Sequence, residues 1–127
     1  MHTSGDGMIR IGARVSIADQ VVLNACHDGV VEVGSDCLIG PRVYLRTSGH
    51  QFSRSDVPIR TQGHERGTIV IEEDCWLGAG VIVLPYVRIG AHSIVGAGSV
   101  VTRSIPPWSV AAGNPCRVLR SRTPCTS

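Results

Sequence analysis

The stretch 71–101, IEEDCWLGAGVIVLPYVRIGAHSIVGAGSVV, places an aliphatic residue at every sixth position. These positions are Ile71, Leu77, Val83, Ile89, Val95 and Val101. A small or β-branched residue follows four positions later, as at Cys75 and Ser93. A period of six is neither the helical period of about 3.6 nor the two-residue period of an ordinary strand, and it is typical of a parallel β-helix. Each hexad then forms a short strand and a corner, and both repeated positions point into a narrow prism.

The same period extends upstream in two further blocks, so twelve hexads form about four three-sided coils. The upstream positions are Ile11, Ile17, Leu23, Val33, Ile39 and Leu45. The phase breaks twice, because the step from Leu23 to Val33 is ten positions rather than six and the step from Leu45 to Ile71 exceeds four hexads by two positions. The predicted irregular parts are a bulge or loop at 24–31, a long extruded loop at 51–67 and a short C-terminal extension at 107–127 that caps the stack.

The composition of the chain excludes several classes of protein. Its 127 residues fit one domain, 1–127, and fifteen glycines and seven prolines favour many turns. A net charge of +2 without a basic run argues against a nucleic-acid partner, and no apolar stretch is long enough for a membrane span. Five cysteines without a C-x-x-C pair argue against a disulfide scaffold or a zinc finger, so we expect a reducing cytoplasm.

Four sequence motifs in a fixed order resemble a known family. They are S-G-H at Ser48 to His50, VIEEDCWLGAG at 70–80, IGAHSIVGAGSVVTRSIPP at 89–107 and AAGNPCRVLR at 111–120. This order resembles the hexapeptide-repeat O-acetyltransferases, the galactoside, maltose and polysaccharide acetyltransferase group. The resemblance implies a left-handed β-helix, a homotrimer, acetyl-CoA as the donor and a hydroxyl of a sugar or polysaccharide as the acceptor.

His50 is the residue that the resemblance implies to be the general base. Acyl transfer from a thioester to a hydroxyl needs a group that accepts a proton near neutral pH, and imidazole suits that need. Either Glu65 or Asp28 could orient the ring. His64 is interpreted as a solvated loop residue. Two further histidines lack motif support: His27 and His92.

The resemblance also implies a donor site in the C-terminal half. The backbone N–H groups of Gly78 and Ala79 are candidates for contacting the pantetheine arm or the developing oxyanion. The other implied acyl-CoA-binding residues are Ala97, Thr102, Arg103 and Arg117. A guanidinium is well suited to bind the phosphates of the nucleotide. The alternative for Arg117, Arg120 and Arg122 is a solvated basic tail.

The acceptor side rests on three candidates: Asn24, Asp28 and Trp76. The resemblance implies that Asn24 and Asp28 contact the acceptor and that Trp76 forms a wall of the cleft near His50, at a subunit contact. Trp108 is predicted to pack the C-terminal segment. Cys37 and Cys75 fall at inward positions of the repeat and are predicted to be inert core residues. A cysteine nucleophile is not needed if acetyl passes directly from donor to acceptor.

Two other functions compete with acetyl transfer. A non-catalytic β-helix that serves as a scaffold or binding module would not require the S-G-H motif or the long loop. A γ-type carbonic anhydrase on the same helix would require three histidine ligands around a metal on adjacent coils. The sequence lacks the closely spaced histidine pair of such a site, so we expect no metal.

Overall fold

The structure, a computed structural model, describes residues 7–123, so residues 1–6 and 124–127 of the predicted domain lie outside the described range. Short parallel strands in that range form three sheets, one on each side of a prism of stacked coils, which confirms the predicted all-β parallel β-helix. Numbered along the chain, sheet 1 contains β1 (Met8–Ile11), β4 (Val30–Val33), β9 (Thr68–Ile71) and β12 (Arg88–Ile89). Sheet 2 contains β2 (Ser16–Ile17), β5 (Leu38–Ile39), β10 (Trp76–Leu77), β13 (Ile94–Val95), β15 (Ser109–Gly113) and β16 (Cys116–Ser121). Sheet 3 contains β3 (Val22–Asn24), β6 (Tyr44–Arg46), β11 (Ile82–Val83) and β14 (Val100–Val101).

The hexad period fixes both the pairing register and the core. Trp76 pairs with Ile94 and Ile82 with Val100, and the members of each pair are three hexads apart, so three hexads make one coil. The repeated aliphatic positions and the small residues four positions later are buried along the prism axis. The exceptions lie in the first half of the first coil: Ile11 and Ile17 are 39% and 36% exposed, and Val15 is only partly buried.

At both phase breaks the chain leaves the prism at the same corner, between sheet 3 and sheet 1. We call this corner the arm vertex. The first break is confined to residues 25–29, here called the bulge, because Asn24 and Val30 already belong to β3 and β4. The second break follows β6 on the next coil. Because breaks separated by three hexads fall at the same corner of a triangular coil, the bulge and the second insertion lie one above the other.

The loop predicted at 51–67 does leave the prism, and its two ends form a short hairpin that the sequence did not predict. Strand β7 (Ser48–His50) pairs antiparallel with β8 (His64–Arg66), and a 3₁₀ turn (Ile59–Thr61) lies between them. We call residues 48–66 the arm. The hexad period does not extend into the arm, so periodicity alone could not predict its strands. Within residues 7–123, no helix is long and apolar enough to cross a membrane.

The C-terminal extension predicted at 107–127 is in part a continuation of the helix, which corrects its role as a cap alone. Ile105 bridges to Ile89, and β15 pairs in parallel with β13, so a fifth coil begins after β14. Val110 follows its partner Ile94 by two positions fewer than the three hexads of the regular coils. This shortening shifts the hexad phase and hides the coil in the sequence. Strand β16 then turns back antiparallel onto β15 and covers the end of sheet 2.

Candidate active site

His50 is the last residue of β7 and lies exposed at the base of the arm. The hairpin register places it directly opposite His64. Two hydrogen bonds hold the chain just beyond this pair: the Gln51 N–H donates to the Gly63 carbonyl at 3.0 Å, and the Gln51 side-chain amide donates to the His64 carbonyl at 3.2 Å. The backbone therefore fixes the pairing of His50 with His64.

Three imidazoles meet at the arm vertex, in an arrangement that we call the histidine column. The ring of His64 stacks on that of His27, with centroids 4.0 Å apart and an interplanar angle of 17°. It also contacts the ring of His50, at 4.7 Å and 40°. The pKa of His64 is lowered, first by loss of hydration and then by repulsion from His27, His50 and Arg46. These surroundings favour the neutral form of His64.

The bulge brings His27 to the column through a tight backbone turn. His27 and Asp28 both adopt positive φ, at 53° and 61°. Thr47, fully buried at the root of the arm, fastens this turn: its Oγ1 accepts the Cys26 N–H at 3.0 Å and donates to the Cys26 carbonyl at 3.0 Å. The Cys26 thiol also donates to the Ser48 hydroxyl at 3.2 Å. The bulge and the arm are therefore tied together below the histidine column.

The column is not predicted by the sequence, in which His64 is interpreted as a solvated loop residue and His27 lacks motif support. His64 is exposed, but its ring contacts two other imidazoles. The phase breaks carry usable information, because breaks three hexads apart must share a vertex. A histidine in each of two stacked insertions is then a candidate partner for His50.

The two carboxylates predicted to orient His50 make other contacts. Glu65 is opposite Gly49 in the hairpin, so alternation along the strands directs its side chain to the other face from His50 and His64. Asp28 accepts from Arg66 at 3.5 Å, in an ion pair whose side chains are both exposed. An imidazole, rather than a carboxylate, is therefore the neighbour of the His50 ring.

The predicted donor residues Gly78, Ala79 and Ala97 lie at the corner between sheets 2 and 3. A Cβ on Gly78 would lie 2.7 Å from the Ala97 nitrogen, so this corner requires glycine for close stacking. The Gly78 N–H donates to the Val95 carbonyl at 2.9 Å, so it is already used in the hydrogen bonding between neighbouring coils. Of the two predicted backbone donors, only the Ala79 N–H therefore remains a candidate oxyanion donor.

Thr102 and Arg103 follow β14 and are exposed at the arm vertex, two coils beyond the root of the arm. At about 4.8 Å per coil this separates the root of the arm from Arg103 by roughly 10 Å along the prism. Arg117 is exposed on β16, opposite Ala112. Arg122 departs from the solvated-tail alternative, because it donates to Asp74 at 3.2 Å and to the His92 carbonyl at 3.0 Å.

The structure separates the three predicted acceptor residues. Asn24 is buried at the end of β3, and its carbonyl accepts the Thr47 N–H at 3.1 Å. Asp28 lies on the bulge beside the column. Trp76 is half-exposed on sheet 2, the side of the prism opposite the arm vertex, beside a small cavity of about 160 Å³. One chain alone therefore does not bring Trp76 to His50.

A second aromatic contact lies at the corner between sheets 1 and 2. His92 stacks on Trp108 with centroids 4.2 Å apart, and its Nδ1 is 2.9 Å from the Asp74 carboxylate. The Arg122 guanidinium lies over the Trp108 ring at 5.7 Å, and the Arg122 backbone N–H donates to the Trp108 carbonyl. Trp108 thus packs against the C-terminal segment, as predicted.

The predicted core cysteines are buried, at 0% exposure for Cys37 and 1% for Cys75. The hydrogen bond with Cys37, together with burial, raises the pKa of Cys75, so this thiol stays protonated at neutral pH. Among residues 7–123, no group of three or more histidine, cysteine or acidic side chains is arranged to hold a metal ion.

Comparison with known proteins identifies relatives of this architecture. A family model described as bacterial transferase hexapeptide (six repeats) matches residues 68–103. The galactoside O-acetyltransferase of Lactococcus lactis subsp. lactis is 46% identical over 99 residues, which cover 77% of this chain and 46% of that protein. The chain thus spans about half the length of this sequence relative.

Solved structures match more of the chain. A hexapeptide-repeat acetyltransferase of Vibrio cholerae O1 biovar eltor, complexed with acetyl coenzyme A, is 35% identical, with a TM-score of 0.81 over 91% of this chain and 61% of that one. A further structure of this acetyltransferase from Vibrio cholerae is 30% identical, with a TM-score of 0.68 over 93% of this chain and 72% of that one. The similarity confirms the left-handed β-helix that the sequence resemblance implied.

Proposed function

The chain belongs to the hexapeptide-repeat acetyltransferase family, and from this premise we propose that it is an acetyl-CoA-dependent O-acetyltransferase acting on a hydroxyl of a sugar or polysaccharide. The observation that carries the proposal is the position of His50. It lies exposed at the base of an ordered arm, on the vertex that also presents Thr102 and Arg103. A relative of known structure binds acetyl coenzyme A, which supports this donor.

The proposed reaction needs a base, an oxyanion donor and a leaving thiol. The His50 imidazole takes the proton of the acceptor hydroxyl as its oxygen attacks the thioester carbonyl. A tetrahedral oxyanion forms, and the N–H of Ala79 from a neighbouring copy stabilises it, because Ala79 of the same chain lies at a different corner from His50. The C–S bond then breaks, and the imidazolium gives its proton to the departing sulfur. The products are the O-acetyl ester and CoA, so the step needs no metal ion and no cysteine nucleophile.

We assign the binding of the donor's nucleotide to arginine side chains. Thr102 and Arg103 lie on the same vertex as His50, which suits a donor that follows the prism edge from its phosphates to the base. Arg117, on the returning strand β16, is exposed and is proposed to meet the 3′-phosphate. Gly78 and Ala97 lie at the close-packed corner of the neighbouring copy, where we propose that they line the groove for the pantetheine.

A homotrimer is the assembly that the outer faces of the prism favour. Sheet 1 exposes charged residues, with Arg10 and Glu32 paired at 2.8 Å. Sheets 2 and 3 instead carry apolar rows on their outer faces, whose members are exposed or half-buried. These rows are Leu38, Trp76, Ile94 and Val110 on sheet 2, and Val22, Tyr44, Ile82 and Val100 on sheet 3. Two apolar faces per subunit suit contact with two neighbouring copies.

The trimer also reconciles the separation of Trp76 and His50. Because Trp76 lies on the side of the prism opposite the arm vertex, only a neighbouring subunit can bring such a residue to His50. We therefore propose that the acceptor binds between subunits, with Asn24 and Asp28 beside the column and Trp76 of a second copy as the wall.

The four free cysteines of the described residues support the reducing cytoplasm as the compartment of the protein.

The test is an acceptor screen in which release of CoA thiol from acetyl-CoA is measured over sugars, oligosaccharides and non-sugar alcohols. We expect thiol release that depends on a saccharide hydroxyl, and an acetyl ester in the product by mass spectrometry. The control is the protein with acetyl-CoA alone, which measures hydrolysis. If no thiol release depends on a saccharide and the protein is not retained on a CoA matrix, the proposed activity is wrong and the non-catalytic scaffold is favoured.

A further inference from the structure

We propose that His64 is a positioning residue for the base: its ring, stacked on His27, holds the imidazole of His50 in the orientation that accepts the acceptor's proton. This inference rests on the proposed function, because His50 is the base only in that reaction. It assigns a role to a residue of the arm that neither the hexad motif nor the donor site includes.

The first step of the argument is the ring geometry. Centroid separations of 4.0 Å for His27–His64 and 4.7 Å for His64–His50 are contact distances for aromatic rings. His64 is the central member, so it links the other two rings. Since His50 is exposed, the His64 ring restricts the rotation of a side chain that would otherwise be free to change rotamer.

The second step is the rigidity of what lies behind His64. A mobile loop residue could not orient a base, but His64 sits in β8, and its register opposite His50 is fixed by the hairpin. On the other side the turn that carries His27 is bonded to Thr47, which is fully buried. The column thus connects His50 to the core of the prism through His27, and His64 itself is held by the pairing of β8 with β7.

The third step is the charge state of the ring. The groups that face the column are Arg46, the Asp28–Arg66 pair, and the outer imidazoles themselves; Glu65 points to the other face of the hairpin. Loss of hydration and then repulsion from His27, His50 and Arg46 lower the pKa of His64, so near neutral pH it acts as an uncharged aromatic ring. A neutral ring restrains His50 without competing for the proton that His50 must accept. This reasoning makes phenylalanine, and not glutamine, the conservative replacement.

The experiment compares His64→Phe, which keeps a ring, with His64→Ala, which removes it. In the ¹³C-labelled protein, the Cε1–H signal of His50, assigned by its loss in His50→Ala, reports the contact, because a neighbouring ring shifts it. We expect this signal to move in His64→Ala and to stay near its original position in His64→Phe. An unchanged signal in His64→Ala would overturn the contact, whatever the activity.

Kinetics then test whether the contact matters for the reaction. A ring contact of this type limits the expected loss of kcat in His64→Ala to roughly tenfold. The KM for acetyl-CoA should change less than about twofold, and His64→Phe should recover most of the kcat. His92→Ala, which removes an imidazole stacked on Trp108 at another corner, is the matched control and should keep its kcat. The proposal fails if His64→Phe is as slow as His64→Ala, or if His64→Ala is as fast as the unaltered protein.

The two proposals fail differently. If His50→Ala retains turnover while the His50 signal still responds to His64→Ala, the general base has been misassigned and the ring contact is real but not catalytic. If His50→Ala is inactive and His64→Ala is fully active, the function stands and the positioning role is wrong. Thermal unfolding of each variant, at one protein concentration, separates both results from loss of folded protein.

Discussion

Replacing Thr47 by valine tests whether the arm and the bulge are held together as the structure indicates. The Thr47 hydroxyl accepts the Cys26 N–H at 3.0 Å and donates to the Cys26 carbonyl at 3.0 Å, and both residues are buried. Valine keeps the β-branched shape, so it creates no cavity. It leaves a buried N–H without its acceptor, which costs about 1–3 kcal/mol. We expect Thr47→Val to lower the free energy of unfolding by this amount.

Two measurements check this prediction for Thr47. Urea unfolding at one protein concentration should shift its midpoint by about 1 M, given a slope of roughly 1–3 kcal/mol per M. Amide hydrogen exchange should accelerate at Cys26 in Thr47→Val but not in Thr47→Ser, which keeps the hydroxyl and loses only a methyl group. A Cys26 amide that is equally protected in both variants would refute the role of the hydroxyl.

Three further predictions follow from the site and the assembly. His50→Ala should lower kcat by about 10²–10⁴-fold while acetyl-CoA affinity, measured by calorimetry, changes little; near-full turnover would refute the base. Light scattering should give a homotrimer, and a stable, active monomer of 13.5 kDa would exclude it. Hydrogen bonds from His92 and Arg122 lower the pKa of Asp74 below its ordinary value of 3.8, so the stability they contribute is present above that pH and is lost as pH falls through the lowered pKa. Asp74→Asn should therefore lower the free energy of unfolding by less than about 1 kcal/mol at pH 7, since the carboxylate is half-exposed, and should not change it at a pH below the lowered pKa. Equal shifts of the urea midpoint at both pH values would contradict this.

The sequence predicts the prism well because every third hexad meets the same sheet. Leu77 and Val95 must both point inward once the period is recognised, and both are fully buried. The fifth coil is hidden for a physical reason. Its inward residues Ile105 and Ala111 fall two positions short of three hexads after their partners, so they are out of phase with the pattern that defines the other coils. A repeat that loses two positions still pairs in three dimensions, because a corner can shorten without disturbing the strands.

The sequence predicts less of the candidate active site than of the prism. The S-G-H motif identifies His50 as the candidate base through its resemblance to the family, and that role stays a prediction. The contacts of His27 and His64 with the His50 ring could not be predicted, since their positions depend on the internal geometry of two insertions and not on the repeat.

Those insertions nevertheless obey the coil, because both replace the same corner on successive levels. Along sheet 2, Ile17 pairs with Ile39 and Ile39 with Leu77, although both steps are longer than the three hexads that separate Leu77 from Val95. The additional positions must leave the prism without disturbing this register, so the bulge and the arm are neighbours. In a fold where three hexads make a coil, the position of an insertion modulo three hexads determines which other insertions it contacts. This rule assigns the neighbours of an inserted arm from the sequence alone.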